Sequence, residues 1–211
     1  MEVSYLGHSA FRLRGKDVAI VTDPHPPSIG ISMGKVEAEI VTVSHKSTNH
    51  AFVQGVDGKP RIVRGPGEYE IADVLIAGVA TRMQPGAGTS NTAYVFRFDD
   101  LAVCHLGDVS SALSDKQVED LGNIDVLLLP VGGGGALEPG QAAEVVAQLE
   151  PSVVVPMHYR IEGGTVEGLE PVSLFCREMG SKEWAAEPKL SVTRSSLPAS
   201  TRVAVLEPKR S

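Results

Sequence analysis

Apolar and polar residues alternate with period two over SAFRLRG (9–15), where Phe11 and Leu13 interleave with Arg12 and Arg14. That spacing predicts a strand with one buried face. Short apolar runs at DVAIVTDP (17–24) and AEIVTVSH (38–45) read as further strands. RIVRGPGEYEIADVLIAGVA (61–80) predicts a strand, a Gly-Pro-Gly turn, a second strand and a third. NTAYVFRFDD (91–100) alternates again, and Asp99-Asp100 turns the chain into LAVCHLGD (101–108) as a hairpin.

The rhythm then changes. SDKQVEDLG (114–122) opens on a Ser N-cap and closes on Gly, which predicts a short helix. IDVLLLPV (124–131) is a continuous apolar run, a buried strand. EPGQAAEVVAQLE (138–150) predicts a helix with Pro139 in its first turn. SVVVPMHY (152–159) is a strand, VEGLEPVSLFCREMG (166–180) is mostly helical with a break or restart at Pro171, and 189–207 closes the chain as two strands. Strands early and strand–helix alternation late predict an α/β domain with sheets packed face to face and helices outside. The absence of a linker or short-period repeat predicts one domain, 1–211.

Composition narrows the partners. The 42% apolar content fits a globular chain, and the net charge of −7 with scattered Lys and Arg argues against a nucleic-acid partner. Cys104 and Cys176, far apart in the chain, do not read as a disulfide framework. The stretch MEVSYLGHSAFRLRG has no apolar run of signal-peptide length, and no segment approaches a membrane-spanning run. The expectation is a cytoplasmic protein with a small-molecule substrate and no membrane or nucleic-acid partner; a homo-oligomer is left open.

The chemistry is positional. IVTVS runs into His45, LAVC into His105 with Asp108 three residues on, and SVVVPM into His158. Strands that end in His or Asp deliver those side chains to a rim where they can converge. His50 follows His45 in SHKSTNH at neither strand nor helix spacing, so a loop must bring the two imidazoles together. Neutral imidazole and carboxylate suit a divalent transition metal.

These motifs resemble the metallo-β-lactamase superfamily: SHKSTNH (44–50), HLGD (105–108) and PMH (156–158), in that order. YLGHSAF (5–11), TDP (22–24), GPGEYE (65–70) and NTAYVF (91–96) extend the resemblance to the small bacterial branch similar to ascorbate-6-phosphate lactonase. The resemblance implies a four-layer αββα sandwich. It also exposes departures from the signature His-x-His-x-Asp-His. Ser47 stands at a His ligand position, Asn49 at the Asp position, and Met83 where the branch places another His.

Carried over, one metal position is lined by His45, Ser47 and Met83, and the other by Asn49, His50, Asp108 and His158. The resemblance thus implies at most one ion per chain, zinc or another divalent transition metal, on His50, Asp108 and His158, with His45 beside it. His8 and His105 read as neighbours of the site rather than ligands. Asp23 reads as a turn residue, Glu68 as a turn carboxylate, Lys46 as a partner for an anionic substrate or a solvated side chain, and 132–135 as a loop bordering the site. The expected activity is hydrolysis of an ester, lactone or phosphoester by a metal-activated water, with His45, Asn49 and Asp108 in catalytic roles. Asn49 can only orient, because an amide does not accept a proton near pH 7. The alternative is a metal-poor, inactive relative serving as a binding or assembly module.

Overall fold

The structure, a computed structural model, describes residues 1–82, 90–181 and 183–209. Its strands are numbered β1 to β13 in chain order and form two sheets. The six-stranded sheet comprises β1 (Glu2–Gly7), β2 (Ala10–Arg14), β3 (Ala19–Thr22), β4 (Ile40–Val43), β5 (Arg61–Arg64) and β12 (Leu190–Ser191), ordered β12-β1-β2-β3-β4-β5. The seven-stranded sheet comprises β6 (Gly67–Ile71), β7 (Val74–Thr81), β8 (Asn91–Phe98), β9 (Leu101–His105), β10 (Val126–Pro130), β11 (Val153–Met157) and β13 (Arg202–Val203), ordered β13-β11-β10-β9-β8-β7-β6. Among the described residues three α-helices, α1 (Asp115–Leu121), α2 (Pro139–Leu149) and α3 (Val172–Glu178), complete the α/β sandwich.

Strand direction positions the site. β1–β2 and β2–β3 are antiparallel and β3–β4 is parallel, so β1, β3 and β4 all run the same way. In the other sheet β9, β10 and β11 are parallel to one another. The residues just beyond the C-terminal ends of these strands therefore lie along one rim.

The core follows the two-residue period. Val3, Tyr5, Phe11, Leu13, Ile20 and Ile40 face the seven-stranded sheet in one large cluster. Their alternates Leu6, Ala10, Ala19, Val21, Val41 and Val43 face outward and are covered by Met33, Val36 and Val56 from the loops after β3 and β4. A fully buried aliphatic side chain contributes about 1.5–3 kcal/mol relative to an exposed one, so both faces hold this sheet in register.

Local signals are borne out where chemistry is local. Asp99 and Asp100 take positive φ (50° and 59°) in the β8–β9 turn. Ser114 accepts from the Gln117 N–H and closes a capping box on α1. Pro139 opens α2. Cys104 and Cys176 are free and buried. Three expectations need correction. β1 precedes the first strand expected from the pattern. Residues 166–170 are not helical: α3 starts after Pro171, and the preceding segment is tied to the 132–135 loop by the Gly133–Leu169 bridge and by Glu170 N–H donating to Gly132 O (2.8 Å). The closing strands are two residues each and go to different sheets, β12 beside β1 and β13 beside β11.

Candidate metal centre

Five strands deliver the centre. β1 ends before His8, β3 before Asp23 and β11 before His158; these residues take left-handed backbone with φ of 53°, 40° and 51°. Non-glycine residues in that region carry about 1 kcal/mol or more of strain each, and such strain gathers at functional sites. Each turn redirects the chain at the rim. The His158 N–H donates to His8 O (2.8 Å), which ties the two sheets together there. β4 leads to His45, and β9 leads through His105 to Asp108.

Gly107 makes the last of these turns feasible. Its φ is 59°, and a Cβ there would sit 2.3 Å from Asn91 Oδ1 and 2.6 Å from Ser44 Cβ. Asn91, the first residue of β8, holds the turn: its Oδ1 accepts from Asp108 N–H (3.0 Å) and its Nδ2 donates to Leu106 O (2.8 Å). Gly132 allows the loop after β10 to close against the end of β11, since a Cβ would lie 2.3 Å from His158 O. The 132–135 loop thus packs on the main chain that carries His158.

Asp108 is the hub. Its Oδ1 lies 2.7 Å from His158 Nδ1, and its Oδ2 lies 3.2 Å from His50 Nε2 and 3.5 Å from His45 Nε2. His8 Nε2 is 3.1 Å from His50 Nε2, and one ligand nitrogen from each of His8, His50 and His158 falls within 4.8 Å of the others. Asp23, His45 and His50 form a second such group. Asp23 serves better as a brace than as a ligand, because its oxygens are already engaged. Oδ1 accepts from Ser44 N–H (2.7 Å), and Oδ2 accepts from the Ser44 hydroxyl (2.5 Å) and faces His50 Nδ1 (2.9 Å). A proton on His50 Nδ1, donated to Asp23, leaves the Nε2 lone pair facing the other imidazoles; such a carboxylate–imidazole pairing fixes a ligand's tautomer.

The electrostatics ask for positive charge. Asp23 and Asp108 are buried, and burial alone would raise both carboxyls. Neighbouring imidazoles outweigh it: Asp23 is lowered, through His105 and its bonds to His50 and Ser44, and Asp108 is lowered well below the carboxylate range, through His158 and His50. Burial disfavours a charged His50, yet Asp108 and Asp23 together push its pKa up to about 10. Burial and the neighbouring imidazoles lower His45, and take His8 down to about 2. Without a cation, one proton on His50 is therefore the compensating charge between two buried carboxylates. The neutral imidazoles beside it and the anionic Asp108 make a donor set that fits a divalent transition metal.

The structure brings His45, His50, Asp108 and His158 together, as their strand-end positions predict. Asn49 is half-buried beside them and donates its main-chain N–H to Ser47 Oγ (3.4 Å). Ser47 is half-buried, and Met83 lies outside the described residues. His105 is not among the converging nitrogens: its Nε2 is spent on Ser9 O (2.8 Å), and Gly107 N–H donates to its Nδ1 (3.2 Å). Glu68 is exposed on β6, and His25 is buried against Leu6 O and Pro26 O. Sequence reasoning undervalued His8, Asp23 and Asn91. The strand-end argument applied to YLGH and IVTD points to the first two.

The family described as the beta-lactamase superfamily domain matches residues 2–158. A UPF0173 protein of Pyrococcus abyssi is 29% identical over 192 residues, covering 81% of this chain and 89% of its own length. A UPF0173 metal-dependent hydrolase of Methanopyrus kandleri is 25% identical over 193 residues, covering 75% of this chain and 84% of its own. Among solved structures, a Thermotoga maritima protein assigned as a Zn-dependent hydrolase of the metallo-β-lactamase superfamily superposes with a TM-score of 0.81. It is 33% identical and covers 97% of both chains.

Proposed function

The chain belongs to the metallo-β-lactamase superfamily, and from that premise we propose that it is a metal-dependent hydrolase of an ester, lactone or phosphoester with a reduced metal site. The observation that supports this most is the convergence of three imidazoles, His45, His50 and His158, on the buried Asp108 carboxylate, with His8 against His50 and a second buried carboxylate, Asp23, behind it. At most one ion would be held, by His50, Asp108 and His158, with His8 able to serve as a further ligand. A bound divalent ion acidifies water and polarises the scissile bond.

The remaining steps belong to side chains. Asp23 fixes the ring of His50 and is itself held by Ser44, and Asn91 with Gly107 fixes the main chain that carries Asp108. His45 has burial and imidazole neighbours that keep it neutral near pH 7, and its Nδ1 meets Ser44 Oγ at 2.9 Å. It accepts a proton at Nε2 or hydrogen-bonds the substrate. Asn49 orients a substrate oxygen or the attacking water and moves no proton. Ser47 and Met83 leave His45 without its two expected partner ligands at the other metal position, which would not hold an ion.

Elemental analysis after mild dialysis, with hydrolysis of phosphodiester and lactone substrates before and after chelation, tests this. The expected result is one equivalent of metal or less and activity that chelation removes and metal restores. Two equivalents would refute the reduced site. Folded protein that neither takes up metal nor hydrolyses these substrates would make the chain a binding or assembly module. The triple change Ser47→His, Met83→His and Asn49→Asp rebuilds the missing ligands and should raise stoichiometry toward two.

A further inference from the structure

A cavity of about 390 Å³ opens beside His45, lined among others by Ser44, Lys46, Arg64, Ser90 and Thr92. Two of these residues are cations in a protein whose net charge is −7. Their placement follows from the fold. Parallel pairing of β4 and β5 sets Val43 opposite Arg64, so the end of β5 lies beside the start of the loop that carries His45 and Lys46. Lys46 and Arg64 are exposed, and among the described residues no carboxylate lies within the ion-pair distance of either.

Resting on the hydrolase reading, we propose that this cavity is an anion-recognising subsite, and that the substrate carries a phosphate or carboxylate group beside its scissile bond. A guanidinium and an ammonium on one wall grip an anionic oxygen group through charge-assisted hydrogen bonds, the guanidinium in bidentate fashion. The wall hydroxyls of Ser90 and Thr92 suit such a group's remaining oxygens. Two like charges at a concave mouth also draw anions in against the overall negative field. With the anionic group held there, the adjoining part of the substrate is set against His45 and the metal centre.

The test separates this subsite from the hydrolase reading by measuring binding in metal-free protein. Phenyl phosphate and benzoate are titrated calorimetrically into the chelator-treated wild type, Lys46→Ala, Arg64→Ala and the double variant. Arg61→Ala, exposed on the same strand but outside the cavity, is the control. Loss of two charge-assisted contacts should weaken binding of the favoured probe roughly tenfold or more in the double variant, and Arg61→Ala should not. Binding of the wild type should also weaken as salt rises. Preference for phenyl phosphate identifies a phosphorylated substrate, and preference for benzoate a carboxylate. Equal binding by wild type and double variant, or no binding of either probe, overturns the subsite. Failure of hydrolysis with every substrate, with this binding pattern intact, overturns the hydrolase reading alone.

Discussion

At the scale of single residues, the centre depends on how each imidazole is held. Asp23 touches His50 Nδ1 and accepts from the main-chain N–H and the hydroxyl of Ser44. Asp23→Asn keeps the shape but removes the charge that orients His50. Metal affinity, read by competition with a chromogenic chelator, should fall about 10–100-fold with the fold intact. Unchanged affinity would mean that Asp23 is only a turn residue. His158→Ala, by contrast, should remove binding, since His158 Nδ1 is the closest imidazole contact of Asp108. Met83→Ala should change metal content little, because a thioether is a poor ligand beside imidazole; equal losses from both would overturn the ligand assignment. The ends of IVTVS and SVVVPM made His45 and His158 legible from sequence. Asp23 was read as a turn residue although it too ends a strand, because a strand-terminal Asp-Pro has the same spelling whether the carboxylate meets solvent or an imidazole across the rim.

At the scale of elements, turns carry the site and helices carry little of it. Gly107 joins β9 to Asp108 with positive φ and no room for a Cβ. Gly107→Ala should lower unfolding stability by about 1–3 kcal/mol through strain and displacement of Asn91, measured in urea, and should lower metal affinity as well. Ser114→Ala, which removes the cap of α1 and whose hydrogen bonds go to Gln117 and not to the centre, should cost about 1 kcal/mol and leave metal binding alone. If both variants lose metal equally, the β9 turn has no special link to the site. The capping residue and the Asp99-Asp100 turn were readable because their causes lie within a few residues. The loop at 166–170 was not, since its main-chain bonds go to Gly132 and Gly133, more than thirty positions away.

At the scale of the molecule, the buried cluster makes stability depend on pH. The raised pKa of His50, about 10, gives stability that is fully present below its unfolded value near 6.5 and is lost as pH rises toward 10. His8, His25, His45 and His105 are lowered, first by burial, so their folded states resist protonation. Their contribution is present above about 6.5 and declines as pH falls below it. The lowered carboxyls of Asp23 and Asp108 add stability that is present above the unfolded value of about 3.9 and is lost at more acid pH. Urea unfolding of the metal-free protein should therefore show a maximum near pH 6.5, declining on both sides. Stability that keeps rising from pH 6.5 to 10 would contradict a charged His50. Metal uptake must displace that proton, so affinity should rise with pH across the same alkaline range.

By itself the sequence determined the two-residue periods, the capping and turn residues, the order of the strand-end motifs and therefore the family architecture, because each is written in neighbouring positions. Only the tertiary structure decided that β1, β3 and β4 run the same way and meet the ends of β9 and β11. That convergence sets His8 beside His50, Asp23 behind it and Asn91 over the turn to Asp108. These partners lie 42, 27 and 17 positions apart. The physical reason is that strand direction and sheet closure are set by how two apolar faces pack, and the orientation of a ring nitrogen is fixed only once its partner from another strand has arrived.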